Sequence, residues 1–444
     1  MHTSQSFYKI CIVLILAWLI PVKAETSPFA ETTASITEKQ GQLIAEGWKR
    51  RVNASQSQTD LSVQYYLQQL ADELAQAGSL QLNNLSLALI HNNSFNAFAG
   101  LGEFMGVYQG LLYHLDDEDA LASILAHELG HMHARHIERL IERQKNLGAT
   151  NLGSLISGLI IASTLDAQAG MAIVLSGQAL TINQLLSFSR NNETEADQIA
   201  GKLLEAAGRD RHGFQRAMSQ IARQQQVMGT APAWLSSHPL AEARLATDLN
   251  PRQQSQAPGP ELDFWAAKTR VMRSSLPSQA PSWAHELNTL IQKPEKTEQH
   301  WQELLVTLED KNARLAQITL IELICQQSLP QCKTLTQTQL LIDPDQPALR
   351  IALVDHKIQN QDYASAWRTL QASNQALQRE PAYWQRRALL LNQLEQPIAA
   401  ISAQGQWMWW RGQEDLALQY LENQSRRLGD QSLRQLWQQL NDNR

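Results

Sequence analysis

The sequence holds only three cysteines in 444 residues. That scarcity excludes a disulfide-framework protein and any four-cysteine zinc site. An excess of one charge is also missing: 37 Lys and Arg stand against 43 Asp and Glu, a net −6, with no basic block. A nucleic-acid binder needs an electropositive face, so no nucleic-acid partner is expected. The apolar fraction, 43%, is ordinary for a globular chain and excludes wholesale disorder. At roughly 100–200 residues per domain, the length predicts two or three domains.

Long apolar runs are few, and the first is an address. Lys9 follows a polar start, Ile10 to Pro21 is apolar, and Val22-Lys23-Ala24 ends on a small residue before Glu25. This is the pattern of a secretory signal peptide over 1–24, with an uncleaved anchor as the alternative. Beyond it only Cys325 and Cys332 remain. On one continuous helix that spacing is about 10 Å along the axis, too far for a bond. Pro330 lies between them and should turn the chain back. In an oxidising compartment a disulfide stapling two helices is favoured over two free thiols.

What is there is mostly helix. Residues 25–60 read as a polar arm with some helix. Leu61 to Ala77 reads as an amphipathic helix opened by Asp60 and closed by Gly78. Leu85 to His91 alternates Leu85, Leu87, Leu89 and reads as a strand, with a second at Phe104 to Tyr108. A long helix follows from Asp116, its expected N-cap, to about Arg143, and another spans Asn191 to Ala207. Between them, residues 146–186 are rich in Gly, Ala, Ser and Ile. They read either as two close-packed helices or as a peripheral membrane contact, their small polar residues disfavouring a span. A Gln/Pro/Gly-rich linker runs from Asn250-Pro251 to Gly259-Pro260. The tail beyond it is Gln- and Leu-rich helix, in which Pro347-Ala348 recurs 34 residues later as Pro381-Ala382, and Ala366 as Ala400. That is the tetratricopeptide period, with generic helical hairpins as the alternative. Trp407, Met408, Trp409 and Trp410 read as a binding face or as a core between repeats.

The chemistry sits in His127-Glu128-Leu129-Gly130-His131, inside the long helix. Residues i and i+4 lie only about 40° apart around a helix axis, so both imidazoles reach one metal. Glu128, beside the first, can take a proton from water activated by zinc and hand it to a leaving amine. Zinc needs a third protein ligand. On a straight helix His133 and His136 face away from the metal, which leaves His136 a supporting histidine. Glu193 and Asp197, again i and i+4, are the better pair: Glu193 as ligand, Asp197 holding the far nitrogen of a zinc histidine.

His127 to His131 through Arg135-His136, with Glu193-Thr194-Glu195-Ala196-Asp197 downstream, resembles the HtpX and CAAX-prenyl-protease type of gluzincin metallopeptidase. Asn96-Ala97-Phe98-Ala99 and Gly110-Leu111-Leu112 match the segment that precedes the active-site helix in that family. His238-Pro239-Leu240 with Arg244 matches a recurring downstream element. The resemblance covers roughly residues 40 to 270. Gly102-Glu103 departs from the family's usual Gly-Gly pair and puts a charge near the presumed substrate edge.

The resemblance implies one zinc ion per chain on His127, His131 and Glu193, with Glu128 as general base and Asp197 behind the ligands. It makes His238 a candidate fourth ligand or latch, a plain loop histidine being the alternative. Arg244 either neutralises carboxylates or helps an oxyanion. Asn96, Ala97 and Phe98 would form the strand edge on which an extended substrate pairs. With the signal peptide and helical tail, the layout resembles periplasmic members of Gram-negative bacteria. The expected fold is mainly α: an α+β catalytic domain over 25–260 with a small sheet and the HExxH helix, then an α-helical tetratricopeptide-like domain over 261–444. The implied function is hydrolysis of misfolded or misassembled outer-membrane proteins, with a chaperone-like role in barrel assembly. Its implied partners are those proteins and, through the tail, the barrel assembly machinery. The rival reading is a helical-repeat scaffold or chaperone with a latched or vestigial metal site.

Overall fold

The computed structural model describes residues 38–56, 58–82, 84–139, 182–228, 234, 238, 262–272, 275–293 and 298–443. The expected signal peptide, the apolar stretch through residue 181, the linker and Arg244 lie outside them. No helix among the described residues is long and apolar enough to cross a membrane.

The first helices and the sheet are α1 (Glu38–Ala54), α2 (Leu61–Ala77), β1 (Ser86–Ile90), β2 (Ala97–Gly100), β3 (Phe104–Tyr108) and α3 (Gly110–His114). Asp60 caps α2 by accepting from Val63 N at 3.1 Å. The sheet order is β1-β3-β2, with β1 parallel and β2 antiparallel to β3. The alternation in β1 suggested one apolar face, but both faces are buried. Leu87 and Leu89 join the main core, while Ala88 and Ile90 pack with Trp48 and Val52 of α1. The supposed polar arm is thus half of a second, smaller core.

The two sheet edges are treated differently. Along β1, glutamines of α2 take the ladder positions: Gln68 Oε1 accepts from Leu87 N at 2.9 Å and Gln64 Oε1 from Leu89 N at 3.2 Å. That edge is closed to a further strand. Along β2, no strand among the described residues pairs with the outer side. The β2–β3 turn passes through Gly102 (φ 77°) and Glu103 (φ 59°). The left-handed conformation at Glu103 is held by its own carboxylate, whose Oε2 accepts from Asn84 N at 2.7 Å.

Next come α4 (Glu118–His133), α5 (Ile182–Ala206), α6 (Gly213–Met228) and α7 (Leu262–Val271). The N-cap of α4 is Asp117 rather than Asp116; it accepts from Ala120 N at 2.8 Å, and Arg216 of α6 donates to both its oxygens at 2.9 and 3.0 Å. α4 also ends sooner than expected, at His133, because Arg135 turns left-handed at φ 53°. Its Gly130 lies against α5 so closely that a Cβ there would stand 2.7 Å from Ala196 O. The buried Lys268 of α7 donates to Leu115 O and Tyr113 O just ahead of α4.

The remaining helices are α8 (Ser282–Gln292), α9 (Glu298–Asp310), α10 (Arg314–Gln326), α11 (Gln331–Ile342), α12 (Pro347–Gln359), α13 (Tyr363–Gln371), α14 (Gln375–Gln378), α15 (Pro381–Gln393), α16 (Pro397–Trp410), α17 (Glu414–Leu428) and α18 (Gln431–Asp442). The chain is mainly α, with one small sheet and a C-terminal run of helical hairpins. Pro347 and Pro381 both sit at helix starts, and Ala366 and Ala400 are both buried. Cys325 and Cys332 form a disulfide across the α10–α11 junction. One apolar core extends from Val63 to Leu349, across the expected boundary at 260. Trp409 and Trp410 are buried, and Arg50 of α1 lies 4.4 Å over the Trp409 ring, so this half of the tryptophan cluster is core.

Candidate metal centre

Ligand atoms of His127, His131, Glu193 and His238 all lie within 4.8 Å of one another. α4 supplies the two histidines one turn apart, α5 supplies Glu193, and the close crossing at Gly130 and Ala196 sets these helices side by side. His127 Nε2 is 3.0 Å from His131 Nε2 and 3.3 Å from Glu193 Oε2; His131 Nε2 is 3.4 Å from Glu193 Oε1.

The outward nitrogens are also engaged. His127 Nδ1 meets Asp197 Oδ1 at 2.9 Å. His131 Nδ1 meets His136 Nδ1 at 2.7 Å, and His136 Nε2 meets Glu195 Oε2 at 3.1 Å. With Nδ1 of each ligand histidine donating outward, both Nε2 lone pairs face one another and the Glu193 carboxylate. Such a cluster repels itself unless a cation sits among the donors. Two donors at zinc–ligand bond lengths of ~2.0–2.1 Å in a tetrahedron stand about 3.3 Å apart, so the observed spacing fits that ion.

With protons alone competing, burial opposes charge on His127, yet the hydrogen bonds to Asp197 and Glu193 prevail and push its pKa up to about 9. Burial would raise the Glu193 carboxyl, but His127 and His131 hold it well below the usual range. Burial pulls His238 down to about 4 against the attraction of Glu128 and Glu193. It likewise pulls His136 down to about 4, with His131 adding to the effect.

Glu128 is buried beside the cluster. Its Oε2 accepts from Ala99 N of β2 at 2.9 Å, and its Oε1 accepts from the Trp234 indole at 3.2 Å, with His238 Nε2 3.5 Å away. Burial would raise this carboxyl, but the three neighbouring histidines and the indole hold it below the usual range. Trp234 N also donates to Phe95 O at 3.3 Å, just before β2. Asn96, Ala97 and Phe98 are all buried beside this contact.

Residues 61–250 match the profile of Peptidase family M48. All four clustered residues fall inside this stretch. The Escherichia coli K12 beta-barrel assembly-enhancing protease is 31% identical over 255 residues, 56% of this chain and 52% of its own length. Its Yersinia pestis namesake is 30% identical over 261 residues, 57% of this chain and 53% of its own. The Schizosaccharomyces pombe mitochondrial metalloendopeptidase OMA1 is 32% identical over 201 residues, 44% of this chain and 51% of its own. The chain spans about half the length of the relatives it matches.

The stretch similar to Peptidase family M48 thus brings His127, His131, Glu193 and His238 together, with Asp197 behind His127 and Glu128 between Ala99 and Trp234. Sequence reasoning missed Trp234 and Glu195. Trp234 was signalled only by its place four residues ahead of His238, one helical turn, and His238 N does donate to Trp234 O at 2.9 Å.

Proposed function

We propose that this chain is a periplasmic zinc endopeptidase that cleaves misfolded or misassembled outer-membrane proteins. The observation that carries this reading is the convergence of two imidazoles and a carboxylate, with Glu128 beside them. His127, His131 and Glu193 hold the ion, and Asp197 fixes His127 with its Nε2 toward it. Zinc bound there supplies Lewis acidity, polarising a carbonyl and lowering the pKa of water toward neutrality. Glu128 takes a proton from the attacking water as the new C–O bond forms. It returns that proton to the leaving nitrogen as the C–N bond breaks. The outer side of β2, at Asn96, Ala97 and Phe98, receives the substrate backbone as an added strand once Trp234 has moved off Phe95 O. Arg244 neutralises the carboxylates or steadies the oxyanion.

His238 is the latch. A fourth protein donor fills the corner that a hydrolytic zinc site keeps open, so His238 must leave before substrate enters. The names of the relatives, with the sequence pattern of 1–24, support the periplasm, outer-membrane substrates and a chaperone-like part in barrel assembly. The assigned units are a signal peptide at 1–24, the protease at 25–260 and a tetratricopeptide-like tail at 261–444 that meets the assembly machinery, with peripheral membrane contact through 146–186.

The test is cleavage of an unfolded reporter by the mature protein beside a Glu128→Gln variant prepared identically. Cleavage by wild type alone is the expected result. Equal cleavage by both removes Glu128 as the base.

A further inference from the structure

We propose that His136 is a positioning residue for the metal centre, setting the tautomer and orientation of His131 through a relay that ends on Glu195. This rests on the metal-centre reading above.

On a straight helix His136 would point about 180° away from His127. The left-handed turn at Arg135 (φ 53°) changes that. Arg135 N closes onto Met132 O at 2.9 Å, and the chain restarts as a helical turn in which Arg139 N donates to Arg135 O at 3.0 Å. The break swings the buried His136 ring back against His131, with centroids 4.8 Å apart and planes at 71°.

The protons along this contact can be assigned by elimination. His131 Nε2 faces the cluster of donors, so a ligand role leaves its proton on Nδ1. At 2.7 Å that proton is donated to His136 Nδ1, which must then carry the lone pair. The proton of His136 therefore sits on Nε2, which donates to Glu195 Oε2 at 3.1 Å. The same oxygen accepts from Arg139 Nη2 at 2.7 Å, which fixes the carboxylate from the far side. Every link has one donor and one acceptor. The opposite tautomer of His131 would turn a proton toward the ion, and that of His136 would set two N–H groups against each other and leave Glu195 without its donor.

The two ligand histidines are thus supported in different ways. His127 has a carboxylate, Asp197, directly behind it, whereas His131 reaches its carboxylate through a second imidazole. Supporting contacts of this kind change metal affinity by about 10–100-fold when removed.

The experiment measures zinc affinity of the full chain at neutral pH, by competition with a chromophoric chelator, for wild type, His136→Ala, His136→Asn and Glu195→Ala. His136→Ala is expected to bind about 10–100-fold more weakly. His136→Asn, whose amide oxygen can still accept from His131 Nδ1, is expected to recover most of that loss. Glu195→Ala should weaken binding to a lesser degree. A His136→Ala protein within twofold of wild type overturns the relay and leaves the metal centre standing. If His136→Ala does not fold, Glu195→Ala reads the relay from its exposed end, and wild-type affinity there overturns it. A wild-type chain that takes up no zinc overturns the metal centre itself, and the relay with it.

Discussion

The imidazole of His238 lies flat on the indole of Trp234, with centroids 4.6 Å apart and planes 14° from parallel. The same indole donates to Glu128. One side chain therefore touches both the base assigned to catalysis and the histidine assigned to the latch. Trp234 is fully buried and its backbone N donates to Phe95 O at the entrance to β2, on the side an incoming strand would need.

If closure resides in His238, the His238→Ala protein should cleave an unfolded reporter at least several-fold faster than wild type while retaining its zinc. The stack on Trp234 is lost as well, which frees the indole. A variant no faster than wild type would remove the latch.

Gly130 connects the fold to the metal. A methyl group there meets Ala196 O at 2.7 Å and Ala196 Cα at 3.0 Å. Both are backbone atoms, which cannot rotate aside. Replacing Gly by Ala in a helix gains up to about 1 kcal/mol, but overpacking costs about 1–3 kcal/mol, so the clash prevails. Gly130→Ala should lower the melting temperature and the zinc content together, because Glu193 moves with α5. Full zinc occupancy at an unchanged melting temperature would show that the crossing has slack.

The pairs at i and i+4 were legible because they are local: His127 with His131, and Glu193 with Asp197, need only a helix to share a face. His136 was read on a straight helix, and nothing about Arg135 signals a left-handed turn as a glycine would. Glu195 went unread for the same reason, since its partner arrives only through that break. The burial of both faces of β1 was hidden too, because Trp48, which covers one of them, lies in a segment whose polar composition masked its apolar stripe. Trp234 illustrates a third limit. It meets Glu128 only through tertiary packing, which no spacing along the chain encodes.

Metal uptake should be linked to protons. In the metal-free protein His127 has its pKa pushed up to about 9 by Asp197 and Glu193 against burial, so it is charged at pH 7. An ion needs the Nε2 lone pair, so that proton must leave. Competition is complete below the raised pKa and fades as pH rises through it, so zinc affinity should increase with pH until about 9. Calorimetry near pH 7 in two buffers of different ionisation enthalpy should report release of about one proton per ion. Identical heats in both buffers would contradict the linkage.

The disulfide should matter to stability and little to cleavage. Cys325 lies in the last turn of α10 and Cys332 in the first turn of α11, both buried in the main core. Closing so short a loop restricts the unfolded chain by about 2–3 kcal/mol on the chain-entropy estimate. The neighbouring Glu322 of α10 accepts from Ser62 of α2 at 2.7 Å and from Arg270 of α7 at 2.8 Å, so this end of α10 has other anchors and should not detach. Replacing both cysteines by alanine is therefore expected to speed amide exchange at the α10–α11 junction and lower the melting temperature, with reporter cleavage near the wild-type rate. The metal ligands sit on α4 and α5, whereas the cysteines join α10 to α11. Unchanged exchange at that junction would mean that packing alone holds the two helices.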